Sequence, residues 1–530
     1  MLRRICFFIA AAFLQAALCK ADLAVESFPP AGWPQAPIRV EGTALVDATG
    51  RQVFPRGVNV GNKSSAERHV TWPQAEDYLT LRSNGLTAVR YLIFWSAVEP
   101  QPGTYDEAYL DAVAREIETI TKAGLFVILD AHQDLYSEGV PGGNGAPPWA
   151  VSRPELPHWT PGGVWSLAYF TSPRLHAAWD AFWTNAPGPE GMGLQERFAR
   201  AWQRVAARFR DVPGVIGYDL LNEPMPGTAM GELGTVALSA LGSLAASEAN
   251  LSLPDLLVQA ETLGYLPPEV LRALDTPTHY RTFLETLEPL IHPFEQGDLA
   301  GMYERVIPAV RTADPNRIIF LEPTAAVNPG AESGLPLPRA AATGPTAYLP
   351  HWYDLVLDTP IACEASRTRM ELAMTSRKRE AERLGLPLLI GEWGAFYNNP
   401  ACAATARMMA ELLAEHTCGD FYWDMHRNMT QAAYRDAIFR PSPIAVNGRV
   451  QAVRLDYEGG VFEIAWTGEE PGGPVSLVYL PSEWRTGDIR VDGMPTELEK
   501  NNLEDGYLTI PPVSRERETT RRLVVRRKPS

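Results

Sequence analysis

The chain has 530 residues, a formal net charge of -16 at pH 7, 45% hydrophobic and 21% charged residues. That length exceeds what a single hydrophobic core usually organises, so one large domain with a smaller companion is expected. The composition excludes a disordered or polytopic membrane chain, and the negative charge argues against nucleic acid as a partner.

In chain order, Arg3 and Arg4 precede a short apolar stretch, residues 5–18, and small residues around Ala21. This is the three-part pattern of a secretory signal peptide, so residues 1–21 are expected to be cleaved and the protein secreted or periplasmic. Cys6 and Cys19 leave with that leader, while Cys363, Cys402 and Cys418 stay. Next, "IRVEGTALVDATGRQVF" alternates like a hairpin.

Eight short apolar runs then recur between amphipathic stretches: "VFPRGVN", "LTAVRYLIF", "GLFVILDAH", "VIGYDLLNE", "RIIFLE", "YLPHWYD", "LPLLIGEW" and "GDFYWDM". Such runs read as parallel strands buried on both faces, with crossover helices between them. Eight units predict a (β/α)8 TIM barrel over residues 35–445, with the hairpin placed to plug its floor. Marked at Asn59, Arg90, Asp130, Asn222, Phe320, Tyr353, Gly391 and Asp424, the strand ends are 31, 40, 92, 98, 33, 38 and 33 residues apart. The two long gaps require insertions, at about 135–195 and 228–290, on the catalytic face. The first holds Trp149, Trp159, Trp165, Trp179 and Trp183; the second is rich in leucine and alanine and reads as helical. Each is either a mini-core of its own or the lining of an apolar slot. From 446 to 530, short strands split by Gly, Pro and Asp turns predict a C-terminal antiparallel β-sandwich.

Glu223 and Glu392 fall at the C-terminal ends of strands four and seven, facing one mouth. Glycoside hydrolysis needs such a pair, one acid to protonate the leaving oxygen and one carboxylate to attack the anomeric carbon. Glu223 is assigned as acid/base and Glu392 as nucleophile. Each glutamate as a mere strand cap is the competing reading, disfavoured because two strand ends carry one each beside aromatics. Asn222 is a candidate donor to a sugar hydroxyl, Arg90 and Tyr353 are candidates to orient Glu392, and Trp423 is a candidate stacking platform. Asp130 and His132, in "LDAHQD", are candidates to bond sugar hydroxyls. No cofactor is expected. A metal is disfavoured because no HExxH-like pair accompanies "DAHQD", and no G-x-S-x-G elbow supports a serine hydrolase. Cys363 and Cys402 each precede the helix after strands six and seven, on neighbouring units at the catalytic rim, whereas Cys418 opens strand eight at the opposite end. A Cys363–Cys402 disulfide is therefore expected.

"TAVR", "LDAHQD", "LNEP", "HWYD", "GEWG" and "YWD", in that order, resemble glycoside hydrolase family 5. "GVNVGNKSS", "FWSAVEPQPGTYDEAYLD", "LDAHQDLYSE", "NEPMPG" and "RPSPIAVNG" resemble the endoglycoceramidases within it. The resemblance, from about residue 53 to 448, implies a retaining β-glycosidase that releases the glycan from ceramide in glycosphingolipids. It implies Glu223 as acid/base, Glu392 as nucleophile, and Asp130, His132, Asn222, Tyr353 and Trp423 as sugar contacts, with Lys63 of "GNKSS" as a further substrate contact. The implied partner is a glycosphingolipid or other β-glycoside, and the apolar helical insertions add the expectation of transient contact with a membrane surface. The alternative within the family is a β-glucosidase or endoglucanase acting on steryl glucosides or polysaccharides. The second insertion is longer than the resemblance leads one to expect.

Overall fold

The computed structural model describes residues 29–160, 164–492, 502–514 and 520–528; the leader expected at 1–21 lies outside them. Three short strands come first: β1 (Arg39–Glu41), β2 (Ala44–Val46) and β3 (Gln52–Val53). Eight parallel strands come after them: β4 (Arg56–Val60), β5 (Ala88–Ile93), β6 (Phe126–Ala131), β7 (Val215–Asp219), β8 (Ile318–Leu321), β9 (Thr346–Tyr348), β10 (Leu389–Gly394) and β11 (Gly419–Trp423). They form one sheet in the order β10-β11-β4-β5-β6-β7-β8-β9. Its two ends meet through Tyr348 N to Pro387 O (2.9 Å) and Gly391 N to Pro350 O (3.0 Å), which closes the barrel.

Alternation along each strand explains why the runs are apolar throughout. On β6, Phe126 and Ile128 point inward with Ala88, Ile216, Ile318, Phe320 and Phe421, while Val127 and Leu129 face the helices. A Cβ at Gly217 would lie 2.2 Å from Ile318 O, so only glycine lets β7 approach β8 this closely. The amphipathic helix Glu107–Lys122 starts at Asp106, whose side chain accepts from Tyr109 N at 3.0 Å. It buries Tyr109, Leu110, Val113, Ile117 and Ile120, an i, i+3, i+4 stripe laid on the barrel.

The hairpin residues Ile38, Leu45 and Val53 join the inward-facing cluster at the floor of the barrel. The same hairpin pairs away from the barrel, in a seven-stranded sheet ordered β1-β2-β3-β12-β15-β18-β17. Its other strands are β12 (Ser442–Val446), β15 (Ser476–Tyr479), β17 (Leu503–Glu504) and β18 (Tyr507–Ile510). A second, four-stranded sheet takes β13 (Arg449–Asp456), β14 (Val461–Thr467), β16 (Asp488–Val491) and β19 (Arg521–Arg526), in the order β13-β14-β19-β16. The C-terminal β-sandwich therefore draws strands from both sides of the barrel.

Both insertions are helical. In the first, Trp179 and Trp183 stack with ring centroids 5.2 Å apart and pack on Phe182 and Phe294, a mini-core. Trp159 and Trp165 remain 54% and 38% exposed. The second comprises Ala229–Glu248, Leu253–Leu263, Pro268–Leu274 and Pro277–Phe294, and passes through a π turn, Glu295–Leu299, into Ala300–Ala313. Helix Ala229–Glu248 is long and apolar enough to cross a membrane by composition alone. Cys363 and Cys402 are disulfide-bonded with Cα atoms 4.4 Å apart, and Cys418 is free.

Candidate active site

At the C-terminal ends of the strands lies a cavity of about 300 Å³ whose lining includes Lys63, His132, Asn222, Glu223, Tyr353, Glu392 and Trp423. Glu392 reaches it because β10 shifts register against β11 between Ile390 and Trp393. That bulge turns Glu392 into the mouth and Trp393 outward, where its indole donates to Asp420 (2.9 Å). Glu223 lies four residues beyond β7 in a left-handed backbone conformation, φ 46°. A non-glycine residue there carries about 1–2 kcal/mol of strain, offset by three hydrogen bonds. Gln133 Nε2 donates to the carbonyls of Asn222 and Glu223, both at 2.9 Å, and Glu223 N donates to Glu322 Oε2 at 3.0 Å.

The two carboxylates are joined by His351. Its Nδ1 lies 2.9 Å from Glu223 Oε1 and 3.5 Å from Glu392 Oε2, and its Nε2 lies 3.3 Å from Glu322 Oε1. One carboxylate oxygen each of Glu223 and Glu392 and a ring nitrogen of His351 all lie within 4.8 Å of one another. Burial opposes a charged imidazole, but Glu322, Glu392 and the bond to Glu223 outweigh it and hold His351 well above the ordinary histidine value. The short contacts from one ring nitrogen to both carboxylates link the trio as a hydrogen-bonded array. A second trio with ligand spacing, Asp130, Asp219 and Glu322, is filled by the Arg90 guanidinium.

Arg90, fully buried, is the hub. It donates to Asp219 (2.9 and 2.8 Å), Asn59 (3.0 Å), Asn222 (2.8 Å), Glu322 (2.9 Å) and Glu392 Oε1 (3.0 Å), and lies 3.0 Å from Asp130. Four carboxylates around one cation leave an excess of negative charge, which favours the neutral form of a carboxyl among them. Burial and the neighbouring Glu322 and Asp130 raise Asp219 well above the carboxylate range, while Glu322 is lowered, because His351, Arg90 and a hydrogen bond from Asp219 outweigh its own burial. Glu392 is raised: burial dominates, and His351 and Arg90 pull against it without cancelling it.

One expectation is corrected: Asp130 does not line the cavity but is sealed beneath it, whereas Arg90, also beneath the cavity, orients Glu392 as expected. Asp130 is occupied by Arg90 and by His132 Nδ1 (2.8 Å), so it orients His132 instead of meeting a sugar. His132 lines the cavity, and its Nε2, 3.6 Å from Asp134, has no hydrogen-bond partner among the described residues. Asn222 accepts from Arg90 and gives one Nδ2 hydrogen to Gln133 O (3.1 Å), which leaves one for a ligand. Tyr353 donates to Glu392 Oε2 at 3.0 Å. Trp423 stacks on His132 (centroids 5.3 Å) and lies under Lys63 Nζ (4.3 Å), which is paired with Asp134 at 2.6 Å.

Sequence reading passed over His351, Glu322, Asn328 and Asp134. The first two had a signal: His351 stands two residues before Tyr353 in "HWYD", and Glu322 ends the fifth apolar run. Asn328, which donates to Glu223 Oε1 at 2.8 Å, had none.

The chain matches the family model described as cellulase (glycosyl hydrolase family 5) over residues 46–429. Endoglycoceramidase I of Rhodococcus hoagii (strain 103S) is 38% identical over 200 residues, 37% of this chain and 38% of that protein. A glucosylceramidase of Rhizopus delemar is 28% identical over 246 residues, 36% of each chain. The matched stretch thus spans well under half the length of these curated relatives. Endo-glycoceramidase II from Rhodococcus sp., solved as a ganglioside GM3 complex, is similar in structure with a TM-score of 0.66 and 25% identity, covering 92% of this chain and 100% of that one.

Proposed function

Since the chain belongs to glycosyl hydrolase family 5, we propose that it is a retaining β-glycosidase cleaving the bond between glycan and ceramide in glycosphingolipids. The observation that carries this reading is the pair Glu223 and Glu392, whose oxygens face one another within 4.8 Å across a common cavity. That spacing suits direct attack by a carboxylate, because retaining enzymes hold the two carboxyl groups about 5–5.5 Å apart and inverting ones farther. Glu392 is the nucleophile, held by Arg90 and Tyr353. Glu223 protonates the leaving oxygen and afterwards activates water; its contacts with Asn328 and His351 leave it partly exposed to the cavity, where a leaving group would sit. Asn222 retains one amide hydrogen for a sugar.

A ceramide aglycone is supported by the similarity to endoglycoceramidases and a glucosylceramidase, and by the rim. Exposed Trp165 lines the cavity beside Asp358. Helix Leu253–Leu263, which leaves Leu253, Leu257, Val258 and Leu263 exposed, ends at Gly264 against Pro360 of the same loop. An apolar band beside a polar sugar cleft suits a substrate with one end of each kind, met at a membrane surface. The test is a panel of lactosylceramide, glucosylceramide, a ganglioside, a steryl glucoside and a soluble β-glucan, with both products identified. Intact oligosaccharide and ceramide are expected from lactosylceramide and the ganglioside. Turnover of the steryl glucoside or the β-glucan alone would replace this reading with the other β-glucoside activities.

A further inference from the structure

The candidate acid/base receives a hydrogen bond from Asn328, which sits on the loop between β8 and β9. That loop is gripped from below by one helix. Tyr303, on Ala300–Ala313, uses its hydroxyl twice, donating to Glu322 O (2.9 Å) and accepting from Glu322 N (3.0 Å). Glu295, at the start of the π turn before that helix, is fully buried. Its carboxylate accepts from Thr324 N (3.1 Å), Ser333 Oγ (2.9 Å to each oxygen) and Gly334 N (2.5 Å). It therefore ties residue 324, just past the end of β8, to residues 333 and 334, midway along the loop to β9. Between those anchors the chain also hooks onto the acid/base segment, Ala325 N donating to Pro224 O at 3.2 Å. An ordinary α-helical turn has no extra residue to spare, and π turns recur where a side chain must be set for a function.

We infer that Glu295 is a positioning residue for acid catalysis: it closes the 324–334 loop so that Asn328 holds Glu223 at the leaving-group side. The inference rests on Glu223 being the acid/base. Three donors converge on one carboxylate, and among the described residues no positive side chain is bonded to it. Burial drives its carboxyl up to about 7, opposed by the bonds from Thr324, Ser333 and Gly334 and reinforced by Glu380. A buried carboxyl in that state is a costly way to hold a loop. Glutamine is the same size, but its amide nitrogen would face a backbone N–H or compete for Ser333, donor against donor, and the loop would open.

The experiment compares wild type, Glu295→Gln and the milder Ser333→Ala on two β-lactosides, one with an alkyl leaving group and one with 2,4-dinitrophenolate. Dinitrophenolate departs without a proton, whereas an alkoxide does not. The expected result is a fall in kcat/KM of at least about 10-fold on the alkyl lactoside for Glu295→Gln, with the dinitrophenyl lactoside changed less than about 2-fold. Ser333→Ala should show the same selectivity at smaller amplitude. Adding Asn328→Ala to Glu295→Gln should cost no more than Asn328→Ala alone, because both act through one bond. Equal losses on both substrates, or additive losses in the double variant, would overturn the inference while leaving the glycosidase reading intact. A wild type inactive on both lactosides would overturn both.

Discussion

His351 is the residue on which the site's electrostatics turn. Its charge is set by Glu322 and Glu392 against the burial of the ring, and it in turn restrains the rise of Glu392. As the proposed nucleophile, Glu392 must be ionised, so activity is expected to fall as pH drops through its raised value. Replacing His351 by alanine removes a positive charge 3.5 Å from Glu392, which raises that carboxyl further. The acid limb of kcat/KM should therefore move to higher pH, with a loss of about 10²-fold at the optimum. An unmoved acid limb would show that His351 does not set the ionisation of Glu392. Gly391 explains why the ring fits: a Cβ there would lie 3.0 Å from His351 Cδ2.

At the scale of elements, strands were legible because parallel strands buried on both faces leave unbroken apolar runs, and their polar ends marked Arg90, Asp130, Asn222, Glu223 and Glu392. What remained hidden was orientation. Arg90 and Asp130 sit one level below the mouth, a depth that depends on barrel register and not on local sequence. The sixth run, read to Asp354, pairs as a continuous strand only to Tyr348; His351 and Tyr353 lie beyond it in a looser segment that meets β10 through an isolated bridge, His351 to Glu392. Asn328 was invisible because a loop folded back from β8 delivers it. The first insertion turned out to be both a mini-core, at Trp179 and Trp183, and part of the rim, at Trp165. Helix Leu253–Leu263 gives this scale its own test. Leu257 and Val258, 45% and 63% exposed, should tolerate serine without change on a soluble aryl glycoside, while hydrolysis of glycolipid in vesicles falls several-fold. Equal rates on vesicles would separate that helix from substrate capture.

For the whole molecule, the sandwich and the barrel share a buried charge cluster. Asp420 on β11 binds Arg56 of β4 (3.0 Å) and Arg440 (Nη2–Oδ2 2.5 Å), just ahead of β12, while its other oxygen holds the Trp393 indole beside Glu392. Burial opposes the Asp420 charge, but Arg440 and Arg56 win and hold its carboxyl below the ordinary value. Its contribution to stability is therefore complete above the unfolded value of 3.8 and is lost as pH falls through the lower folded one. Asp420→Asn leaves two buried guanidinium groups without a counter-charge, at a cost of about 3–5 kcal/mol. Thermal unfolding should show a lower Tm at pH 7 and a weaker decline on acidification; an unchanged Tm would mean that barrel and sandwich are joined by packing alone. The proposed retaining mechanism stands on Glu392 forming a covalent bond to sugar, and a 2-deoxy-2-fluoro-β-lactosyl fluoride reports that bond directly, because the fluorine slows breakdown of the intermediate. Peptide mass mapping after inactivation should find one lactosyl adduct, on Glu392. Modification of a different residue, or turnover with inversion at the anomeric carbon, would contradict it.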